Sequence, residues 1–179
     1  MKKFDNWDSV EEIGNSASKV LPAGGYVGKI TAVTDVPEKE YLRIEWDISE
    51  GEFKGNGASC LERNGFLPSA NRFVRSYKDS AIGFFKGFIS SVEQSNPNFV
   101  WDFDERKLVG KTIGCVIGEE EYRKQTGDIG TRLKVKRTLS ADSIRAGKFK
   151  VPDKEVLKEE ANPTPTWSAV SDLDGELPF

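Results

Sequence analysis

Residues 41–49, YLRIEWDIS, alternate apolar and polar side chains without a break. A strand turns successive side chains to opposite faces, so Leu42, Ile44, Trp46 and Ile48 share one face and Tyr41, Arg43, Glu45 and Asp47 the other. Winding this stretch into a helix would scatter its apolar residues around the circumference. It therefore belongs to a sheet with one buried face, and Trp46 is expected in the core. The preceding run, YVGKITAVTDV, is entered through PAGG and joined to it by PEKE, a connection short enough to predict an antiparallel hairpin.

Further along, GEFKGNGASC reads as a loop with glycine kinks and NRFVRSY as a short extended or irregular piece. The period then changes. Ile82, Phe85, Phe88, Ile89 and Val92 fall on one helical face over residues 80–94, with Asp79 or Ser80 as N-cap and SNPN as the stop. Burial is the expectation for Phe84, Phe85 and Phe88. Two more strands, KTIGCVIGEEEY and GTRLKVKRTL, flank the turn RKQTGD, and SADSIRAGKFKVP closes the folded part with a short helical element. Two strands, an irregular strand, a helix and a final hairpin are the order of an OB-fold, a five-stranded barrel with a helix between strands three and four. A small sandwich would read similarly. OB-folds bind oligonucleotides on an outer face and through loops that here are about residues 35–40 and 122–129. The expected organisation is an N-terminal arm (1–20), an OB domain (21–152) and a flexible linker with an acidic tip (153–179).

The chain has no histidine, which removes Ser–His and Cys–His catalysis and histidine metal ligands together. Cys60 and Cys115 make neither a disulfide framework nor a zinc motif. The longest apolar run, AIGFFKGFI, is interrupted by Lys86 and too short to span a bilayer, and Asp5 and Asp8 interrupt any signal-like segment. A cytoplasmic protein without membrane contact is expected. The net charge of −3 conceals an asymmetry: residues 151–179 carry seven acids against two lysines, whereas the preceding 150 carry 24 bases against 22 acids. Residues 131–150 hold seven bases and one acid, an arrangement suited to a polyanion.

Arg132, Lys134 and Lys136 share one strand face and form a cationic ladder at roughly 7 Å intervals, close to phosphate spacing. The bland alternative is a solvated edge strand whose lysines deter aggregation. Arg123 and Lys124 in the preceding turn favour a phosphate-tracking groove, as do Arg72, Arg75 and Lys78 in RFVRSYK. Candidate rings for base stacking are Phe73, Tyr77, Tyr122 and Tyr41. Enzyme-like matches are poor. GKT at 110–112 lacks the upstream glycine of a phosphate-binding loop, and GGYVGKI has Ile30 where Ser or Thr belongs. Glu52 and Lys54, nuclease-like in type, lie among loop glycines; Asp102, Asp104 and Glu119 to Glu121 are read as solvated acidic turns before a hard-cation site. No catalytic residue, metal or cofactor is implied.

The chain ends in DLDGELPF, after the linker-like EEANPTPTWSAV. This end resembles the acidic tip of bacterial single-stranded-DNA-binding proteins. Asp172, Asp174 and Glu176 stand for the acids and Leu177, Pro178 and Phe179 for the anchor, while Leu173 and Gly175 dilute the acidic run. The resemblance implies that the Phe179 ring enters an apolar pocket on a partner and that its carboxylate pairs with a basic residue there. SAIGFFKGFISSVEQSNP, LVGKTIGCVIGEEEY and SIRAGKFKVP together resemble phage- or prophage-encoded proteins of Gram-positive hosts, regarded as OB-fold single-stranded-DNA-binding proteins. The resemblance implies single-stranded DNA and replication or recombination proteins as partners. Self-association, a dimer first, is compatible with the sequence. The rivals are an OB-like adaptor that binds only proteins and, third, a metal-dependent nuclease.

Overall fold

The computed structural model describes residues 20–157; the arm at 1–19 and the linker and tip from 158 onward lie outside the described residues. The chain is mainly β, built on a five-stranded antiparallel sheet in the order β3-β2-β1-β4-β5. The strands are β1 (Gly24–Val36), β2 (Tyr41–Ile48), β3 (Arg72–Ser76), β4 (Thr112–Arg123) and β5 (Ile129–Leu139). Among the described residues three α-helices accompany them: α1 (Asn56–Asn64), α2 (Ile82–Ser95) and α3 (Ala141–Arg145). In chain order α2 lies between β3 and β4.

The alternation of β2 is realised in full: Leu42, Ile44, Trp46 and Ile48 are all buried, and Trp46 has no exposed surface. Trp46 donates its indole N–H to Ala70 O at 3.0 Å, so the ring is both packed and hydrogen-bonded. The core continues through Ile30, Phe73, Phe85, Phe88, Ile89, Val92, Ile113, Cys115 and Ile117. Here Phe84 departs from expectation. It is 80% exposed because it lies on the side of α2 facing away from this cluster. The helix also starts differently, through a 3-10 turn at Asp79–Ala81, so Ala81 is the N-cap and no side chain caps it.

Helix α1 takes in residues 56–60, which were read as loop. Its apolar content is too low to signal a helix, and only Gly57 is buried. A remote carboxylate holds it: Asp47 accepts from Gly57 N at 2.7 Å and Ala58 N at 3.1 Å, satisfying first-turn donors and opposing the helix dipole.

A second, smaller cluster lies on the other face of the sheet, where Val27 and Val116 meet Ala141, Ile144 and Phe149. Glycines make room for it. A Cβ at Gly25 would come within 2.5 Å of the Phe149 ring, one at Gly114 within 2.5 Å of Ile144, and one at Gly118 within 3.0 Å of Pro152. Residues 151–157 continue along this face as a strap. Residues 153–157 were expected in the linker, yet Glu155 N donates to Glu119 O at 3.0 Å and Glu121 N to Glu155 O at 2.8 Å. The strap fills an edge of β4 that β1, whose pairing stops at Ile117, leaves open.

The edge strands β3 and β5 come into contact. Across this seam Ser69 Oγ donates to Leu133 O at 2.8 Å, seating the approach to β3 against the middle of β5. Among the described residues no helix is long and apolar enough to cross a membrane.

Glycine positions give a paired test of this packing. A Cβ at Gly28 would lie 2.3 Å from Asp47 O and 2.4 Å from the Trp46 ring, and backbone cannot step aside. Gly28→Ala should cost about 2–3 kcal/mol. Gly83, in α2 with nothing within 4 Å, should gain about 0.5–1 kcal/mol on change to Ala. Urea denaturation of both variants reads the two signs.

Candidate nucleic-acid interface

The cationic row of β5 exists, but it is not the free ladder the sequence suggests. Arg132, Lys134 and Lys136 do share the outer face, where Leu133 and Val135 turn inward. All three converge on one carboxylate, Glu120, which is 8% exposed. Arg132 donates through Nε at 2.8 Å and Nη2 at 2.5 Å to Oε1, Lys136 through Nζ at 2.7 Å to Oε2, and Lys134 lies 3.4 Å from Oε1. Hairpin register produces the cluster, because Glu120 pairs with Arg132 and Gly118 with Lys134. Lys136 is the extra residue of a bulge between the pairs Val116–Arg137 and Ile117–Val135. Its ammonium also reaches Glu155 of the strap at 2.5 Å.

Burial pushes the Glu120 carboxyl up. The hydrogen bonds from Lys136 and Arg132 and the nearby Lys134 charge outweigh it and bring the group down to about 2. Lys136 is raised: burial opposes its charge, but the two carboxylates prevail. Three cations and two carboxylates leave this patch a net charge of +1. Glu120 was read with Glu119 and Glu121 as a solvated acidic turn; it lies instead in β4 and is buried, and counting outward from the turn RKQTGD places it opposite Arg132.

The other expected phosphate contacts divide. Arg123 and Lys124 are exposed in the β4–β5 turn, with Arg123 Nη1 donating to Gly127 O at 3.2 Å. Arg72 is exposed at the start of β3, and Lys78 is exposed just beyond that strand. Arg75 does not fit the expectation. It shares the inward side of β3 with Phe73, its guanidinium 4.7 Å from the Phe73 ring centroid, and burial pulls its pKa below the ordinary arginine value. Alternation puts Phe73, Arg75 and Tyr77 on one face, and that face points into the protein.

The rings divide likewise. Phe73 is a core residue, 5% exposed and edge-on to Phe88 at 5.8 Å, with no face for a base. Tyr77 is turned toward α2, edge-on to Phe85 at 6.1 Å, with its hydroxyl donating to Asp35 at 2.8 Å. That bond is the main cause pushing its phenol up to about 12. Tyr122 is half-buried, and the Arg132 guanidinium lies 5.0 Å from its ring centroid. Tyr41 is half-buried on the outer face of β2, next to exposed Arg43. Across the ladder, Arg43 pairs with Val74 and Glu45 with Arg72, so Tyr41, Arg43, Arg72 and Val74 form an accessible surface on β2 and β3. Arg43 should have stood among the candidates, since its alternation already placed it outward.

Two expected features carry the wrong charge or the wrong partners. The turn at 35–40 holds Asp35, Glu38 and Glu40 against Lys39, which suits a phosphate poorly. Asp102 is paired with Lys107 and Asp104 with Arg106. Among the described residues no group of three or more His, Cys, Asp or Glu side chains is placed to hold a metal ion. No protein-family model matches the chain, and no curated protein matches it.

Glu120 gives the interface a pH signature. Its folded value lies below its unfolded value of 4.5, so its contribution to stability is complete above about pH 4.5 and drains away as the pH falls toward 2. The expected loss is ~2 kcal/mol, and Glu120→Gln should flatten that part of the profile. Urea midpoints at pH 6 and pH 3 for both proteins measure it.

Proposed function

We propose that this chain is a non-catalytic OB-fold protein that coats single-stranded DNA with little sequence preference, in phage replication or recombination. The observation that carries the reading is the β5 row: three cations side by side on an outer strand face, beside Tyr122 and on a strand that contacts β3. The β2–β3 surface, with Tyr41, Arg43 and Arg72, extends it along the side that OB barrels use for oligonucleotides. Backbone phosphates would meet Arg72, Lys78, Arg123, Lys124, Arg132, Lys134 and Lys136, with Arg43 added and Arg75 withdrawn. Bases would stack on Tyr41 and Tyr122. The Asp172 to Phe179 segment would recruit replication proteins.

In this reading Glu120 keeps the place of a phosphate when DNA is absent. It holds the three cations in register, sparing them ordering on binding, and it lowers the charge available to draw in DNA. A protein-only adaptor is the second reading, and the same neutralisation favours it.

Titration with fluorescein-labelled oligo-dT separates the two. The first reading requires binding at micromolar protein and low salt, weakening steeply as salt rises. Absence of binding, even after removal of residues 171–179, leaves the adaptor. Glu120→Gln should tighten binding about threefold or more and steepen the logarithmic salt slope by about 0.7. Arg72→Ala should weaken binding to all sequences alike and flatten the slope by about 0.7.

Deletion of Phe179 should abolish pull-down of replication proteins while leaving DNA affinity nearly unchanged. Retained pull-down would remove the recruiting role.

A further inference from the structure

A cavity of about 670 Å³ opens between α2, the paired ends of β1 and β2, and the segment at 101–105. Leu42, Phe85 and Ile89 provide its apolar floor. Four rings follow one another along it: Tyr77 to Phe85 at 6.1 Å, Phe85 to Trp101 at 6.1 Å, and Trp101 to Phe103 at 5.9 Å. Phe103, at the lip, is 85% exposed and held at φ 66°, a left-handed conformation that a phenylalanine rarely adopts. Such strain gathers at ligand clamps, and here it keeps a large apolar ring out in solvent. Ile82, half exposed, continues the apolar lip.

The rim is acidic. Asp35, Glu93 and Glu105 line the cavity against a single cation, Lys86. Two of these acids also fix its walls: Asp35 accepts from the Tyr77 hydroxyl at 2.8 Å and Glu93 from Trp101 N at 2.9 Å. Glu38 and Glu40, in the adjoining turn, add negative potential at Tyr77.

We propose that this cavity is a docking site for a basic-apolar peptide segment of a partner protein, one that sets a lysine or arginine beside a large apolar side chain. The volume suits a few bulky side chains. The apolar anchor would lie on Leu42, Phe85 and Ile89, and the cation between the rings and the carboxylates, where both the quadrupole and the charge favour it. A rim with three carboxylates to one ammonium disfavours DNA and acidic peptides alike, which excludes the chain's own Asp172 to Phe179 segment as occupant. The site is opposite in charge to the proposed DNA face, so a partner here does not compete with DNA for the same groups.

The test uses the full chain and two fluorescein-labelled peptides, acetyl-Lys-Leu-Phe-Lys-amide and acetyl-Glu-Leu-Phe-Glu-amide, read by fluorescence anisotropy. The basic peptide should bind at least about tenfold more tightly than the acidic one. Phe103→Ser and Glu105→Lys, both at solvent-accessible positions, should each weaken it about tenfold, and Glu105→Lys should narrow the preference between the peptides. Both variants should bind oligo-dT as the unaltered chain does, so the outcome here is independent of the DNA reading. Equal binding of the two peptides, binding of neither, or affinity unmoved by both substitutions overturns the proposal.

Discussion

The two halves of the sheet, β3-β2 and β4-β5, are joined through a single strand, β1. β1 pairs with β4 over Gly24–Lys29 and with β2 from Gly28 to Val36, so only a short overlap is hydrogen-bonded on both sides. Just past that overlap Thr31 is left over as a bulge between Ile30 and Ala32, which bends the strand as it passes from shared to single pairing. Gly28 sits inside the overlap, where the Trp46 ring and the Asp47 carbonyl leave no room for a side chain. β3 and β5 meet although three strands separate them in the sheet order.

Charge at the seam is governed by burial as much as by count. Carrying three cations side by side on a strand sets like charges against one another, and a neighbouring carboxylate relieves the repulsion. Glu120 is the relief, and it is buried enough that it must be fully paired to stay ionised. Arg132 is tied to Tyr122 on one side and Glu120 on the other, which fixes a side chain that would otherwise sample many rotamers. Glu155 extends the arrangement to the strap, so the segment leading out of the sheet is attached through charge as well as through backbone hydrogen bonds.

Much of the sheet was legible because β2 and β5 carry their period openly, while β4 stood out as an apolar run, buried on both faces and bounded by turn signals. What escaped did so for identifiable reasons. α1 has almost no buried face, and its N-terminus is held by Asp47, ten residues before Gly57; no local pattern records such a contact. β3 is too short for alternation to say which side is inside, so Phe73 and Arg75 were counted with Arg72 as DNA contacts although they lie on the opposite, inward side. The cations of β5 were recognised individually, but their convergence is a property of hairpin register. The acidic cavity draws on four separated stretches, at 35–42, 77, 82–93 and 101–105, and had no sequence signature.

The bulge at Lys136 has a consequence for chain length. Before it, Leu133 and Val135 face the main core; after it, Leu139 packs with Val116 and Ile144 in the second cluster, although all three residues share the same parity in sequence. The extra residue is what changes sides. Deleting it would remove one cation and also send Leu139 toward the wrong face, drawing α3 and the strap out of alignment with the glycines that receive them. The lysine at 136 is thus specified twice, once by its charge and once by the number of residues in the strand.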